Sequence, residues 1–223
     1  MIYLIGVEHE VQSISVGGDE TANHIKYRRC LEQAIRTHQP TVVAEEYSDD
    51  ALGKYALLRQ TPQEFFTRQI AAQWSVKHLL CDPDLKTKSA LGYQGESTWW
   101  THIFGLWTHQ SSDLELLPAA LEVVKDFPIR ESYWLQQLHN VLGQDVVFIC
   151  GDYHVDTFGK RLQDNGVPSQ VVERQIGLSA GLIERTERIR AYIEHNSQHI
   201  EDVFQEILQL HSRKIPLVPF PDS

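Results

Sequence analysis

Apolar runs bounded by turn or charged residues recur along this chain and predict short strands at Ile2–Val7, 41–45, 77–81 and 145–150. The stretch Val146-Val147-Phe148-Ile149-Cys150 has no polar alternation, which is the pattern of a strand covered on both faces. A fifth strand is expected at 169–173, after the turn residues Asn165-Gly166. Between the strands the period changes to that of a helix. Tyr27, Leu31, Ala34 and Ile35 share one helical face, and that segment stops before Pro40. Pro62 stands where a first-turn proline is tolerated, ahead of Phe65, Phe66, Ile70 and Trp74.

Further helices are expected at 114–125 and 130–142, and a C-terminal helical pair through Leu182, Ile189 and Ile193, then Ile200, Val203, Phe204, Ile207 and Leu208. Residues 84–110 hold Gly92, Gly95 and three of the five tryptophans without a clear period, so a long lid-like loop is expected there. Alternating strands and helices predict an α/β fold. The expected architecture is a mostly parallel or mixed central sheet of about five strands flanked by helices, followed by the C-terminal helical pair. Residues 1–178 form the core, 179–214 a helical extension of the same domain, and 215–223 a proline-rich extended tail.

Composition narrows the function classes. The 223 residues, 42% hydrophobic, are enough to bury one sizeable core. A net charge of −10 with no cluster of Lys and Arg argues against nucleic acid and against an anionic membrane surface. The N-terminal apolar stretch has no basic leader and is too short for a signal peptide or a membrane span, so a cytoplasmic protein is expected. Cys30, Cys81 and Cys150 lack zinc-knuckle or disulfide spacing and read as reduced packing residues.

The candidate chemistry follows from placement: His9, Glu46, Asp82 and His154 each come just after a predicted strand. That is the carboxyl edge of the sheet, where ligands bind in open α/β folds. Two imidazoles and two carboxylates there suit a divalent metal of borderline hardness, zinc, manganese, cobalt or iron, or acid–base work without one. Gly6 and Gly151 precede the histidines in two Gly-x-x-His turns, where glycine permits a positive φ or a close approach. His154 also opens a helix through Val155, Phe158 and Leu162, whose N–H groups could face an anion or oxyanion.

These motifs resemble the TraB, Tiki, erythromycin-esterase and ChaN superfamily. A first strand ending in Gly6-Val-Glu-His9 is similar to the family's first motif. Pro40-Thr-Val-Val-Ala-Glu45-Glu46 resembles its Glu-terminated strand, with Glu46 the better-aligned carboxylate. Asp82, the helix start Arg130-Glu131-Ser-Tyr-Trp134 and the second motif Gly151-Asp-Tyr-His154 follow in the family's order. Two departures stand out: Glu8 occupies a position where a small residue is usual, and Glu131 one where aspartate is commoner.

The resemblance implies a metal-dependent hydrolase of amide or ester bonds acting on a small-molecule or peptide substrate. His9, His154, Glu46 and Asp82 would be the metal set, and Glu46, Arg130, Glu131 and His154 the catalytic groups. A bound water would lose its proton to a spare carboxylate, Glu45 or Glu8, although strand alternation puts Glu45 and Glu46 on opposite faces. Arg130, oriented by Glu131, would hold a substrate carboxylate or the developing oxyanion. The alternative is a non-catalytic small-molecule, haem or metal-binding protein of the same fold, since fold alone never fixes function.

Plainer readings stand beside these. The histidines could be hydrogen-bonded turn residues, Glu46 a helix cap, Asp82-Pro83 a turn start, and Arg130 with Glu131 a charged helix end. His102 and His109 near Trp99, Trp100 and Trp107 are either an aromatic entrance or packing, and His195, His199 and His211 read as solvated. Gly177-Leu-Ser179-Ala-Gly181 matches a nucleophile elbow, but the remaining chain is helical and ill placed to return Asp202 and His211 to the serine. The C-terminal helices are a candidate homodimer surface.

Overall fold

The computed structural model describes residues 1–58, 61–106 and 116–212. Its strands are β1 (Ile2–Val7), β2 (Ser13–Ser15), β3 (Val42–Glu45), β4 (Gln63–Phe65), β5 (Lys77–Leu80), β6 (Val146–Gly151) and β7 (Ser169–Ile176). The helices are α1 (Ala22–His38), α2 (Asp49–Leu58), α3 (Phe66–Gln73), α4 (Leu85–Leu91), α5 (Glu96–Leu106), α6 (Leu117–Leu121), α7 (Phe127–Leu138), α8 (His154–Asp164) and α9 (Ala180–Ser212). Five strands form one sheet in the order β5-β3-β6-β1-β7, and every neighbouring pair is parallel. The expected α/β fold with a five-stranded sheet is present.

Alternation along the strands feeds two hydrophobic cores, one on each face. Val146, Phe148 and Cys150 join Ile2, Leu4, Val42 and Ala44 beneath Trp134 and Leu138 of α7 and Val155, Phe158 and Leu162 of α8. Val147 and Ile149 join Ile5, Val7 and Val43 against Tyr27, Leu31 and Ile35 of α1 and Phe66 and Ile70 of α3. The unbroken apolar run of β6 therefore reflects a central strand with a helix layer on either side. Helix α1 begins at a capping box, in which Thr21 accepts from the His24 N–H and the His24 ring accepts from the Thr21 N–H. It ends where Gln39 turns left-handed at φ 45°, immediately before Pro40.

Several expectations change. Residues 84–110 are not a lid-like loop over their described part; α4 and α5 occupy them. Asp126, almost fully buried, accepts from Gly95 N–H at 2.8 Å and Trp99 Nε1 at 2.7 Å, and so fixes the start of α5. The expected helix over 114–125 is α6 followed by a wider π turn over Glu122–Asp126, which runs directly into α7. Pro128 lies just beyond and has no N–H to offer, which favours this irregular register. The fifth strand extends to Ile176, and Pro62 leads first into β4, which pairs antiparallel with β2. The C-terminal pair is one helical run broken at Asn196, whose side chain donates to Tyr192 O at 3.0 Å. The proposed tail at 215–223 lies outside the described residues.

The chain divides into two compact units. Met1–Ala90 with Arg130–Ala180 hold the sheet, and the described residues of Leu91–Ile129 and Gly181–Ser223 make a helical unit. Within the helical unit Arg185 pairs with Glu96 and Lys125 with Glu201. No helix of the described residues is long and apolar enough to cross a membrane.

Candidate functional site

The strand order builds the site. Because β6 is inserted between β3 and β1, the residues that follow these three strands meet at one carboxyl edge although they are far apart in sequence. Val7 is level with Gly151, and the N–H of Glu46 donates to Ile149 O at 2.9 Å. His9 starts a 3-10 turn after β1, Glu46 follows β3, and His154 opens α8 after β6.

Glu46 is the hub. Its Oε2 accepts from the Gly151 N–H at 2.6 Å. Its Oε1 lies 2.6 Å from Arg130 Nη1 and 3.6 Å from both His9 Nε2 and His154 Nε2. Burial opposes the charge on Glu46, but Arg130 and the two imidazoles hold its carboxyl well below the usual carboxylate range. His9 is likewise opposed by burial, and Glu46 more than offsets this, so its pKa is raised. Of the three, His9 alone has a substantially accessible side chain, 35% against 1% for Glu46 and 4% for His154. An approaching molecule would meet the His9 side of the cluster first.

A second layer orients these groups. Glu131, 1% exposed, accepts from Thr157 Oγ1 and pairs with His154 Nδ1 at 2.9 Å and Arg161 Nε at 3.3 Å. Asp82 accepts from Arg130 Nε at 2.5 Å and Trp134 Nε1 at 3.0 Å through Oδ1, while Oδ2 lies 2.6 Å from Lys88. Burial penalises this carboxylate, yet Arg130 and Lys88 keep its pKa below the ordinary value. The Trp134 ring, fully buried, stands 4.7 Å from the His154 ring and carries Arg130 over its face at 5.3 Å.

The structure thus gathers His9, Glu46, Asp82, Arg130, Glu131 and His154 in one cluster within the sheet unit. Three placements differ from the expected roles. Asp82 faces Arg130 and Lys88 rather than the imidazoles, so it acts by holding the guanidinium. Glu131 orients His154 rather than Arg130. Glu45 turns to the opposite side, where its oxygens meet His78 Nε2 at 2.7 Å and Gln12 Nε2 at 3.0 Å, and so it is not a spare base for the cluster. Neither motif glycine has a positive φ; both are needed for close approach. A Cβ on Gly151 would stand 3.2 Å from His9 Nε2, and one on Gly6 2.4 Å from Asp152 Oδ1.

Gln12, His78, Lys88, Thr157 and Arg161 were not legible as site residues. The only sequence signal for Gln12 was its position three residues after His9, on the same turn. His102 packs edge-on against Trp99 at 5.9 Å in the helical unit, and His195 is exposed and bonded to its own helix. Ser179 is exposed just before α9. His109 and Trp107 lie outside the described residues.

Among the described residues, no three His, Cys, Asp or Glu side chains already stand as a metal-binding group. The donor types nonetheless suit one: two imidazole nitrogens point at one carboxylate oxygen, and each ring is backed at Nδ1 by an oxygen of Gln12 or Glu131. No family model, curated protein or solved structure matches this chain.

Proposed function

We propose that the His9, Glu46 and His154 cluster, with Arg130, is the active centre of a hydrolase of amide or ester bonds, distantly related to the TraB, Tiki, erythromycin-esterase and ChaN proteins. The observation that carries this reading is the convergence of two Nε2 atoms, each 3.6 Å from Glu46 Oε1, with Nδ1 of each ring already engaged. A water hydrogen-bonded to this group would lose a proton to His9 Nε2 as its oxygen attacks the substrate carbonyl carbon. Glu46 stabilises the resulting imidazolium, as its effect on the His9 pKa indicates. His9 Nε2–H then gives the same proton to the leaving group, while the bare Nε2 of His154, held by Glu131 at Nδ1, would orient the attacking water. Arg130 contributes positive charge for the oxyanion.

The metal-dependent form of this proposal is an alternative to proton transfer at His9: His9, His154 and Glu46 would hold a divalent metal through the same Nε2 pairs, and it would supply a bound water of lowered pKa. Asp82, occupied by Arg130, Trp134 and Lys88, would support that set through Arg130. Elemental analysis and divalent-metal titration of the purified chain, with His9→Ala and His154→Ala beside it, test the metal. Protein without bound metal, and with no uptake on titration, removes it.

Activated ester and peptide libraries test the chemistry. Turnover by the native chain is expected to fall at least about 100-fold in His9→Ala. Saturable binding of a small molecule, haem or a metal complex without turnover would favour the non-catalytic alternative. A homodimer through α9, where Leu208 is 46% exposed, is proposed on the same footing, and sedimentation of the intact chain decides it.

A further inference from the structure

Behind His9 runs a chain of hydrogen bonds that the hydrolytic reading does not require. His9 Nδ1 meets Gln12 Oε1 at 2.8 Å, Gln12 Nε2 meets Glu45 Oε2 at 3.0 Å, and Glu45 Oε1 meets His78 Nε2 at 2.7 Å. Gln12 and Glu45 are each 1% exposed, so their partners are held without competition from solvent.

The direction of every bond follows from one fact: a carboxylate only accepts. The side of the Gln12 amide that faces Glu45 must therefore be its NH2 group. Its oxygen then faces His9, and an amide oxygen also only accepts. His9 must consequently carry a proton on Nδ1, leaving Nε2, the atom aimed at Glu46, as the nitrogen with the free electron pair when the ring is neutral.

We infer that Glu45 is a positioning residue that fixes the tautomer of His9 through Gln12. The two imidazoles are then held by different devices. His154 is backed directly by the carboxylate of Glu131, whereas His9 is backed by a neutral amide whose orientation a carboxylate sets from behind. The second device fixes the proton's position without placing a full negative charge against the ring. It also explains why two adjacent glutamates stand at the end of β3: Glu46 serves the cluster, and Glu45 serves the back of His9 from the other side of the strand. The importance of that tautomer for turnover rests on the hydrolase reading; the tautomer itself does not.

The test is 15N NMR of the full chain labelled at histidine, in which ring nitrogen shifts distinguish the two tautomers. The native protein is expected to show His9 protonated at Nδ1. In Glu45→Gln, the new amide keeps its oxygen on His78 and turns its NH2 toward Gln12, whose amide must invert; the Nε2–H tautomer of His9 is expected to appear. The exchanged pair Gln12→Glu with Glu45→Gln reverses only the middle bond and again presents an acceptor oxygen to both His9 Nδ1 and His78 Nε2 at unchanged total charge, and should restore the native tautomer. Gln12→Met, which removes the amide, should leave His9 in a mixture, and it serves if Glu45→Gln does not fold.

Native His9 protonated only at Nε2 overturns the inference. So does a His9 tautomer that is unchanged in both Glu45→Gln and Gln12→Met. In the hydrolysis assay, kcat should fall about tenfold or more in Glu45→Gln and recover in the exchanged pair, with KM little changed. A correct tautomer in a chain that hydrolyses nothing would defeat the hydrolase reading and leave this inference intact.

Discussion

Arg130 Nη1 lies 2.6 Å from Glu46 Oε1, and this contact joins a buried cation to the carboxylate on which both histidines converge. The guanidinium also binds Asp82, so it neutralises two carboxylates that are 3% and 6% exposed. Its removal would leave buried Glu46 to the two imidazoles and the Gly151 N–H, and Asp82 to Lys88 and Trp134. Arg130→Met is expected to cost about 3–5 kcal/mol, read as a lower urea midpoint at neutral pH. A loss well under about 1 kcal/mol would show that the pair is not buried as described.

Stability should depend on pH at both ends. The folded-state pKa values of Glu46 and Asp82 are depressed, so the stabilisation they bring is complete above their ordinary values of 4.5 and 3.8 and is lost as pH falls through the lower folded values. His9 is shifted upward, so its contribution is complete below the ordinary 6.5 and fades as pH rises through the folded value. Denaturant melts from about pH 3 to 9, in chelator, should show both flanks. His9→Gln should flatten the alkaline one, and an alkaline decline unchanged in that variant would contradict the assignment.

The two motif glycines should respond differently to alanine. At Gly6 the added methyl meets Asp152 Oδ1 at 2.4 Å and Val155 Cγ2 at 2.7 Å, in packed core, so Gly6→Ala should cost about 1–3 kcal/mol. At Gly151 the methyl stands 3.2 Å from His9 Nε2, a side chain that is partly exposed and able to move. Gly151→Ala should therefore keep most of the stability and impair whatever the cluster binds or transforms. Equal thermal shifts in the two variants would refute this distinction.

Trp134→Phe removes the hydrogen bond to Asp82 and part of a fully buried ring against His154. A charged acceptor loses one donor, and a loss of about 1.5–3 kcal/mol is expected by denaturant melts. Ring-current shifts on His154 should change in the same variant, and an unaltered His154 spectrum would argue against the packing.

Most of the fold was legible because its signals are local. The apolar run at 145–150 could be satisfied only in a strand with both faces covered, and β6 is that strand. The helix ending before Pro40 and the strand at Ile2–Val7 were equally direct. The helices at 85–91 and 96–106 were not legible because the tryptophans and glycines conceal the helical period, while Asp126, distant in sequence, supplies the acceptors that start α5. The π turn before Pro128 was illegible for a similar reason, since it depends on how two helices are joined.

By itself the sequence determined which residues stand at strand ends and that Glu45 and Glu46 must face opposite ways, because side-chain direction along a strand has period two. Only the tertiary structure decided which of the two meets the histidines. That choice followed from the insertion of β6 between β3 and β1, which no local pattern encodes, and it turned Glu46 toward Arg130, His9 and His154 while leaving Glu45 to Gln12 and His78. The partners of Asp82 and Glu131 were settled in the same way, because a buried carboxylate takes whichever cation or donor the packed helices bring within reach.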